Sequence, residues 1–113
     1  MVEQESHNPL TDILKAASDP TRRSILTLLA QHGPLRVTEV AGHFDISLNA
    51  VSKHIKVLER AGLVVRTVDG RLHRCSLSAE PMQSAAAWLD PYRVFWTQTL
   101  EALAQFVEGR QDE

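Results

Sequence analysis

Residues Ser47 to Leu63, SLNAVSKHIKVLERAGL, constrain the fold more than any other stretch of this chain, because two sets of residues alternate there at helical spacing. Val51, Ile55 and Leu58 recur every three to four positions, so in an α-helix they share one face and need a core to cover it. Asn49, Ser52, Lys53 and Lys56 fall on the opposite, solvent-facing side. Amides can hydrogen-bond to base edges, and hydroxyl and ammonium groups can bind phosphates, so this face is suited to DNA. Ser47 supplies an N-cap oxygen, and Gly62 provides the left-handed position that ends a helix.

The flanks place this helix in a larger motif. Leu35 to Phe44 carries Val37, Val40, Ala41 and Phe44 at helical spacing, which predicts a short helix with Leu35 in a small strand before it. Arg36, at its start, has no side-chain oxygen to act as a cap. With Asp45-Ile46-Ser47 as a tight connection, the two helices make a helix-turn-helix whose second helix is offered to the major groove. Leu63 to Thr67 and Leu72 to Leu77 read as strands around Val68-Asp69-Gly70-Arg71, with Asp69-Gly70 the expected two-residue turn. A hairpin after the recognition helix is a wing, and Arg66, Arg71 and Arg74 on it could reach phosphates or a minor groove.

Toward the N-terminus, Asn8-Pro9 and Asp19-Pro20 each combine an N-cap acceptor with a proline at a position that loses no amide hydrogen bond. They predict helices from about Pro9 to Ala17 and from Pro20 to Gly33-Pro34, the second burying Ile25, Leu28 and Leu29. Pro81 to Val107 is helical again, with Asp90-Pro91 as a kink or break. Its Trp88, Tyr92, Phe95, Trp96, Leu100 and Leu103 form an apolar stripe too large for a lone terminal helix to leave in water. The expected fold is mainly α, about five helices with a small β-hairpin wing, in one domain over residues 1–113.

Composition narrows the function. No apolar run approaches the roughly 20 residues of a membrane span, and the acidic, polar start does not read as a signal peptide, so a cytoplasmic location is expected. The formal net charge of -2 seems to argue against nucleic acid, but its distribution reverses the inference. From Ser47 to Arg74, six basic residues face two acidic ones, a local +4 that leaves -6 for the rest of the chain. Local potential governs encounter with a polyanion more than net charge does. We find no paired carboxylates in a cleft, no phosphate-cradling glycine loop and no nucleophile elbow, so an enzyme is not expected.

With these residues in view, DPTRRSILTLL, then PLRVTEVAGHFDISLNAVSKHIKVLERAGLV, then DGRLHRCSL resemble the ArsR-type winged helix-turn-helix repressors over roughly residues 9–107. The resemblance implies a homodimer, built mainly from the first and last helices, that binds an inverted-repeat operator and blocks transcription. By the family pattern the DNA-facing positions would be Ser47, Asn49, Ala50, Ser52, Lys53, His54 and Lys56, with Arg71 and Arg74 on the wing. The dimer surface would take Leu10, Ile13 and Leu14 from the first helix and the apolar stripe from the last.

The chain departs from the metal-sensing members of that family. Where their third helix carries a cysteine pair, Arg36 and Thr38 stand here, and neither can supply a thiolate. The family's other site uses Asp and His of the last helix, and Pro81 to Gly109 contains no histidine. His7, His32, His43, His54 and His73 are scattered over different elements without ligand spacing, so no metal or other cofactor is expected. Cys75 alternates with Arg74 and Ser76 and should face the core as inert packing rather than a redox sensor. The aromatic stripe could line a pocket for a small apolar effector, though a dimer core is the commoner use of such spacing. The competing function is a winged-helix module that binds protein and not DNA, against which the basic segregation argues.

Overall fold

The structure is a computed structural model that describes residues 8–111; the first seven residues, including His7, and the last two lie outside it. Helix α1 spans Pro9–Ala17 and α2 Pro20–His32, followed by strand β1, Leu35–Arg36, and α3, Val37–Ala41. Helix α4 is Leu48–Arg60, the strands β2 and β3 are Val64–Asp69 and Leu72–Leu77, and α5 is Glu80–Gln111. Among the described residues the expected five helices are present, and the sheet has three antiparallel strands in the order β1-β3-β2.

The helix starts follow the capping chemistry. Asn8 accepts from the Thr11 amide at 3.2 Å, Asp19 from the Arg22 amide at 3.0 Å and Ser47 from the Ala50 amide at 3.1 Å. Each bond satisfies one amide that the helix itself leaves open. At α3, where the sequence offers no capping oxygen before the helix, Glu39 in the first turn reaches back to the Arg36 amide at 2.8 Å. This is half of a capping box, and it accounts for a helix start that Arg36 alone cannot make.

Glycine ends α4 as expected. Gly62 has φ +81°, its amide donates to the Glu59 carbonyl, and the next amide, Leu63, donates to the Leu58 carbonyl at 2.9 Å. This paired arrangement closes the last turn and brings Leu63 onto Leu58, both of them fully buried.

One core holds the assembly. Ile13 and Ala16 of α1, Ile25, Leu26, Leu28 and Leu29 of α2, Val40 of α3, Val51, Ile55 and Leu58 of α4, then Leu63, Val64 and Cys75 of the wing's base are all buried. Met82 and Ala85 from the first turns of α5 pack against it. Cys75 is a free thiol with no exposed surface, facing the core as the strand alternation requires. Burial raises its pKa, with the nearby Arg66 charge opposing that only in part.

Four local expectations need correction. The helix expected over Leu35 to Phe44 stops at Ala41, and residues 42–47 join it to α4 through single turns at His43 and Phe44. Strand β2 runs past Thr67 to Asp69, which pairs with Leu72, so the two-residue turn is Gly70-Arg71 and not Asp69-Gly70. Gly70 has φ +66° while Arg71 keeps a negative φ, the pattern of a type II′ turn with glycine first. Helix α5 continues through Pro91 without a break. Proline removes one helical amide there, and the chain is exposed, so water can satisfy the carbonyl left over. Ile13, expected on the dimer surface, is only 3 % exposed because it faces the chain's own core.

Candidate nucleic-acid interface

Helix α4 is fixed on one side and open on the other. Val51, Ile55 and Leu58 have no exposed surface, whereas Asn49, Lys53 and Lys56 are exposed and Ser52 and Ala50 are half-buried. Burial of the apolar face determines which residues reach solvent, so the amide and ammonium groups are presented by core packing. Ser47 is exposed at the N-terminus of α4, with its hydroxyl engaged in the cap.

The wing divides its arginines. Arg71 sits in the turn at the tip and is exposed. Arg74 is also exposed, but lies further down β3, opposite Thr67 on one side and Arg36 on the other, where its charge helps hold the Glu39 carboxyl below its ordinary range. The larger cause there is the Arg36 amide that Glu39 accepts from. Arg66 does not belong with them. Its Nη2 is 3.0 Å and its Nε 3.3 Å from the two carboxylate oxygens of Glu59, so it fastens β2 to the C-terminal half of α4.

His54 also turns out to be engaged within the chain. Its Nδ1 lies 3.3 Å from Nη1 of Arg22 and 4.0 Å from Oδ2 of Asp19, at the start of α2. Sequence spacing put His54 beside Lys53 but could not show a partner 32 residues away. Asp19 is held below the ordinary carboxylate range, first by the Arg22 amide it caps and further by the charge of Arg22.

The second surface is apolar. From Ala86 to Gly109 every residue of α5 is exposed, including Trp88, Tyr92, Trp96, Leu100 and Leu103, and Phe95 keeps 67 % of its surface open. Leu14 of α1 is exposed and Leu10 half-buried, and α1 packs against α5. Among the described residues no group of three or more His, Cys, Asp or Glu side chains comes together to hold a metal ion, and no helix is long and apolar enough to cross a membrane.

Comparison with known proteins identifies the architecture. Residues 17–67 match a family model described as a helix-turn-helix domain. The HTH-type transcriptional regulator Rv2034 of Mycobacterium tuberculosis is 40% identical over 99 residues, covering 88% of this chain and 89% of that one. The crystal structure of an ArsR family transcriptional regulator superimposes with TM-score 0.69 at 37% identity, over 79% of this chain and 91% of that one. The chain belongs to the ArsR family of winged helix-turn-helix transcriptional regulators. The homodimeric winged helix-turn-helix DNA-binding domain of a Mycobacterium bovis protein, described as a possible ArsR-family transcriptional regulator, matches with TM-score 0.62 at 25% identity, over 75% of this chain and 78% of that one. In this fold α4 is the second helix of the helix-turn-helix and the β2–β3 hairpin is the wing.

Proposed function

We propose that this regulator is a homodimeric repressor that binds an inverted-repeat operator through α4 and the wing. The observation that carries the reading is the split of α4 into a fully buried apolar face and an exposed face with Asn49, Lys53 and Lys56. Asn49 is the candidate for base readout, Ser52, Lys53 and Lys56 for phosphate contact, and Ser47 and Ala50 for close approach of the helix N-terminus to the backbone. Arg71 at the wing tip and Arg74 below it would add phosphate contacts beside the major groove.

The exposed stripe of α5, together with Leu10 and Leu14, supports the dimer, and the homodimeric relative from M. bovis supports it independently. A two-fold dimer that sets its recognition helices about 34 Å apart reads half-sites about 10 base pairs apart, centre to centre. A dimer covering such a site blocks access of other proteins to the same DNA, which is the simplest route to repression. Arg36 and Thr38, at the family's thiolate positions, favour control by something other than a metal at that site.

Footprinting on the DNA upstream of the chain's own gene tests this. The expected result is protection of a near-palindrome with affinity falling steeply with salt. Absence of salt-sensitive duplex binding would sink it in favour of a protein-binding module.

A further inference from the structure

Arg22 joins three parts of the chain at one point. At the C-terminal end of α1 its Nε donates to the Ala16 carbonyl at 2.6 Å, and its Nη2 to the Lys15 carbonyl at 3.3 Å, which also accepts from the amide and hydroxyl of Ser18. Its backbone amide donates to Asp19 at 3.0 Å, fixing the start of α2. The remaining nitrogen, Nη1, lies 3.3 Å from Nδ1 of His54 on α4.

A guanidinium has only donors, so a hydrogen bond across this contact requires Nδ1 to accept, which only the ring form with its hydrogen on Nε2 can do. Without a hydrogen, the same Nδ1 makes no bond to the Asp19 carboxylate 4.0 Å away. Arg22 and Asp19 are the charged groups that reach the ring. Asp12 and Lys15 of α1 and Glu39 of α3 make no bond to it, and Arg66 of β2 is taken by Glu59.

We propose that Arg22 sets the pose of the recognition helix through His54, so that His54 is a positioning residue whose protonation weakens operator binding. The proposal rests on α4 being the DNA-contacting helix. Protonation places a hydrogen on Nδ1, which turns the Arg22 contact into one between two donors of like charge and makes Asp19 the better partner. The ring then exchanges α2's guanidinium for α2's capping carboxylate. His54 lies between Lys53 and Lys56 in sequence, so a shift of its anchor is transmitted to the groups proposed to meet phosphate. A histidine that contacted phosphate directly would behave oppositely, because protonation would strengthen its contact with an anion.

The sign of the pH dependence therefore decides. Operator affinity is measured from pH 8 to pH 5.5 at fixed salt for the wild-type dimer, His54→Asn and His54→Ala, with unfolding midpoints recorded alongside. The Asn side-chain oxygen stands near the position of Nδ1, accepts from Arg22 and does not titrate; His54→Gln replaces it if His54→Asn lowers the midpoint. We expect wild type and His54→Asn to bind alike at pH 8, with His54→Ala weaker. On acidification from pH 8 to pH 5.5, wild type should lose about two- to tenfold relative to His54→Asn, the range for one lost hydrogen bond. The salt dependence should be the same for both proteins. A relative gain by wild type at low pH, with the salt slope of His54→Asn lower by about 1, would make His54 a phosphate ligand and overturn the proposal. Parallel profiles for wild type and His54→Asn would overturn it as well. No binding by any protein at any pH would instead remove the DNA-binding reading itself, and this inference with it.

Discussion

Helices α4 and α5 are both amphipathic, yet their apolar residues meet opposite fates. Val51, Ile55 and Leu58 of α4 are fully buried, and the helix is tied at its start by Ser47, at its end by Gly62 and Leu63, and along its length by Arg22 and Arg66. Helix α5 is anchored by Met82 and Ala85 in its first turns, then leaves the body with its aromatic residues in solvent. The radius of gyration shows the consequence: 19.2 Å, against about 13 Å for a compact domain of this length. A single chain thus completes the device that holds α4 in place, while in the proposed dimer a second chain would cover the surface of α5.

Core and arm can be separated experimentally, and the largest effect is expected in the core. Ile55→Ala should cost about 2–5 kcal/mol of folding stability in denaturant titrations, at any protein concentration. Phe95→Ala removes nothing from the core of the single chain, so it should lower the unfolding midpoint only at concentrations where the wild type is dimeric. An equal, concentration-independent loss in both variants would break the distinction between the helices.

The next effect concerns the open face of α4. Lys53→Ala should weaken binding to all duplexes and reduce the salt slope by about 1. Asn49→Ala should leave that slope in place and relax base preference at one position by about 1–3 kcal/mol. Unchanged operator affinity in both variants would show that the buried face of α4 is its whole role. Ser47→Ala should cost about 1 kcal/mol of stability through the lost cap, which calorimetry can resolve.

Where local chemistry decides, the sequence sufficed: Asn8-Pro9, Asp19-Pro20 and Gly62 mark the helix ends because each acts within one turn of itself. The alternation of Cys75 with Arg74 and Ser76 likewise fixed which way the thiol points. What escaped was set by distant partners or by choices between near-equal local states. Arg22 meets His54 across 32 residues, and β1 pairs with β3 across some 40, neither of which any periodicity reveals. Asp69-Gly70 and Gly70-Arg71 are both acceptable hairpin turns, and the pairing of Asp69 with Leu72 chose between them. Ile13 and Leu14 adjoin on α1, but only the packed chain tells which of them turns inward. Glu39 was readable as a first-turn acid, and its role as back-acceptor for Arg36 needed only the half-box to be considered without its usual serine or threonine.

Cys75 sharpens the contrast by its silence. Its thiol has no exposed surface and a raised pKa, so little thiolate forms at neutral pH and a thiol reagent should react only after unfolding. Rapid labelling of the native protein would show that the base of the wing opens.

The smallest effect expected lies in the acid limb of stability. Asp19 has a folded-state pKa lowered chiefly by the Arg22 amide, so the folded chain binds its proton less readily than the unfolded one. Its contribution is therefore fully present above the unfolded carboxyl pKa of about 3.9 and is lost as pH falls through the lower folded value. Asn caps helices as well as Asp does and does not titrate. Asp19→Asn should then leave the cap intact but flatten the decline in unfolding midpoint below pH 4. It also removes the carboxylate that receives His54 when the imidazole is protonated. The effect of pH on operator binding should consequently grow in this variant, because a protonated His54 would lose Arg22 without gaining a partner. Acid stability curves and operator affinities of the same protein thus report on the same corner of the fold, one through α2 and the other through α4. If Asp19→Asn changed neither, the corner would tie the helices together without governing how α4 is held.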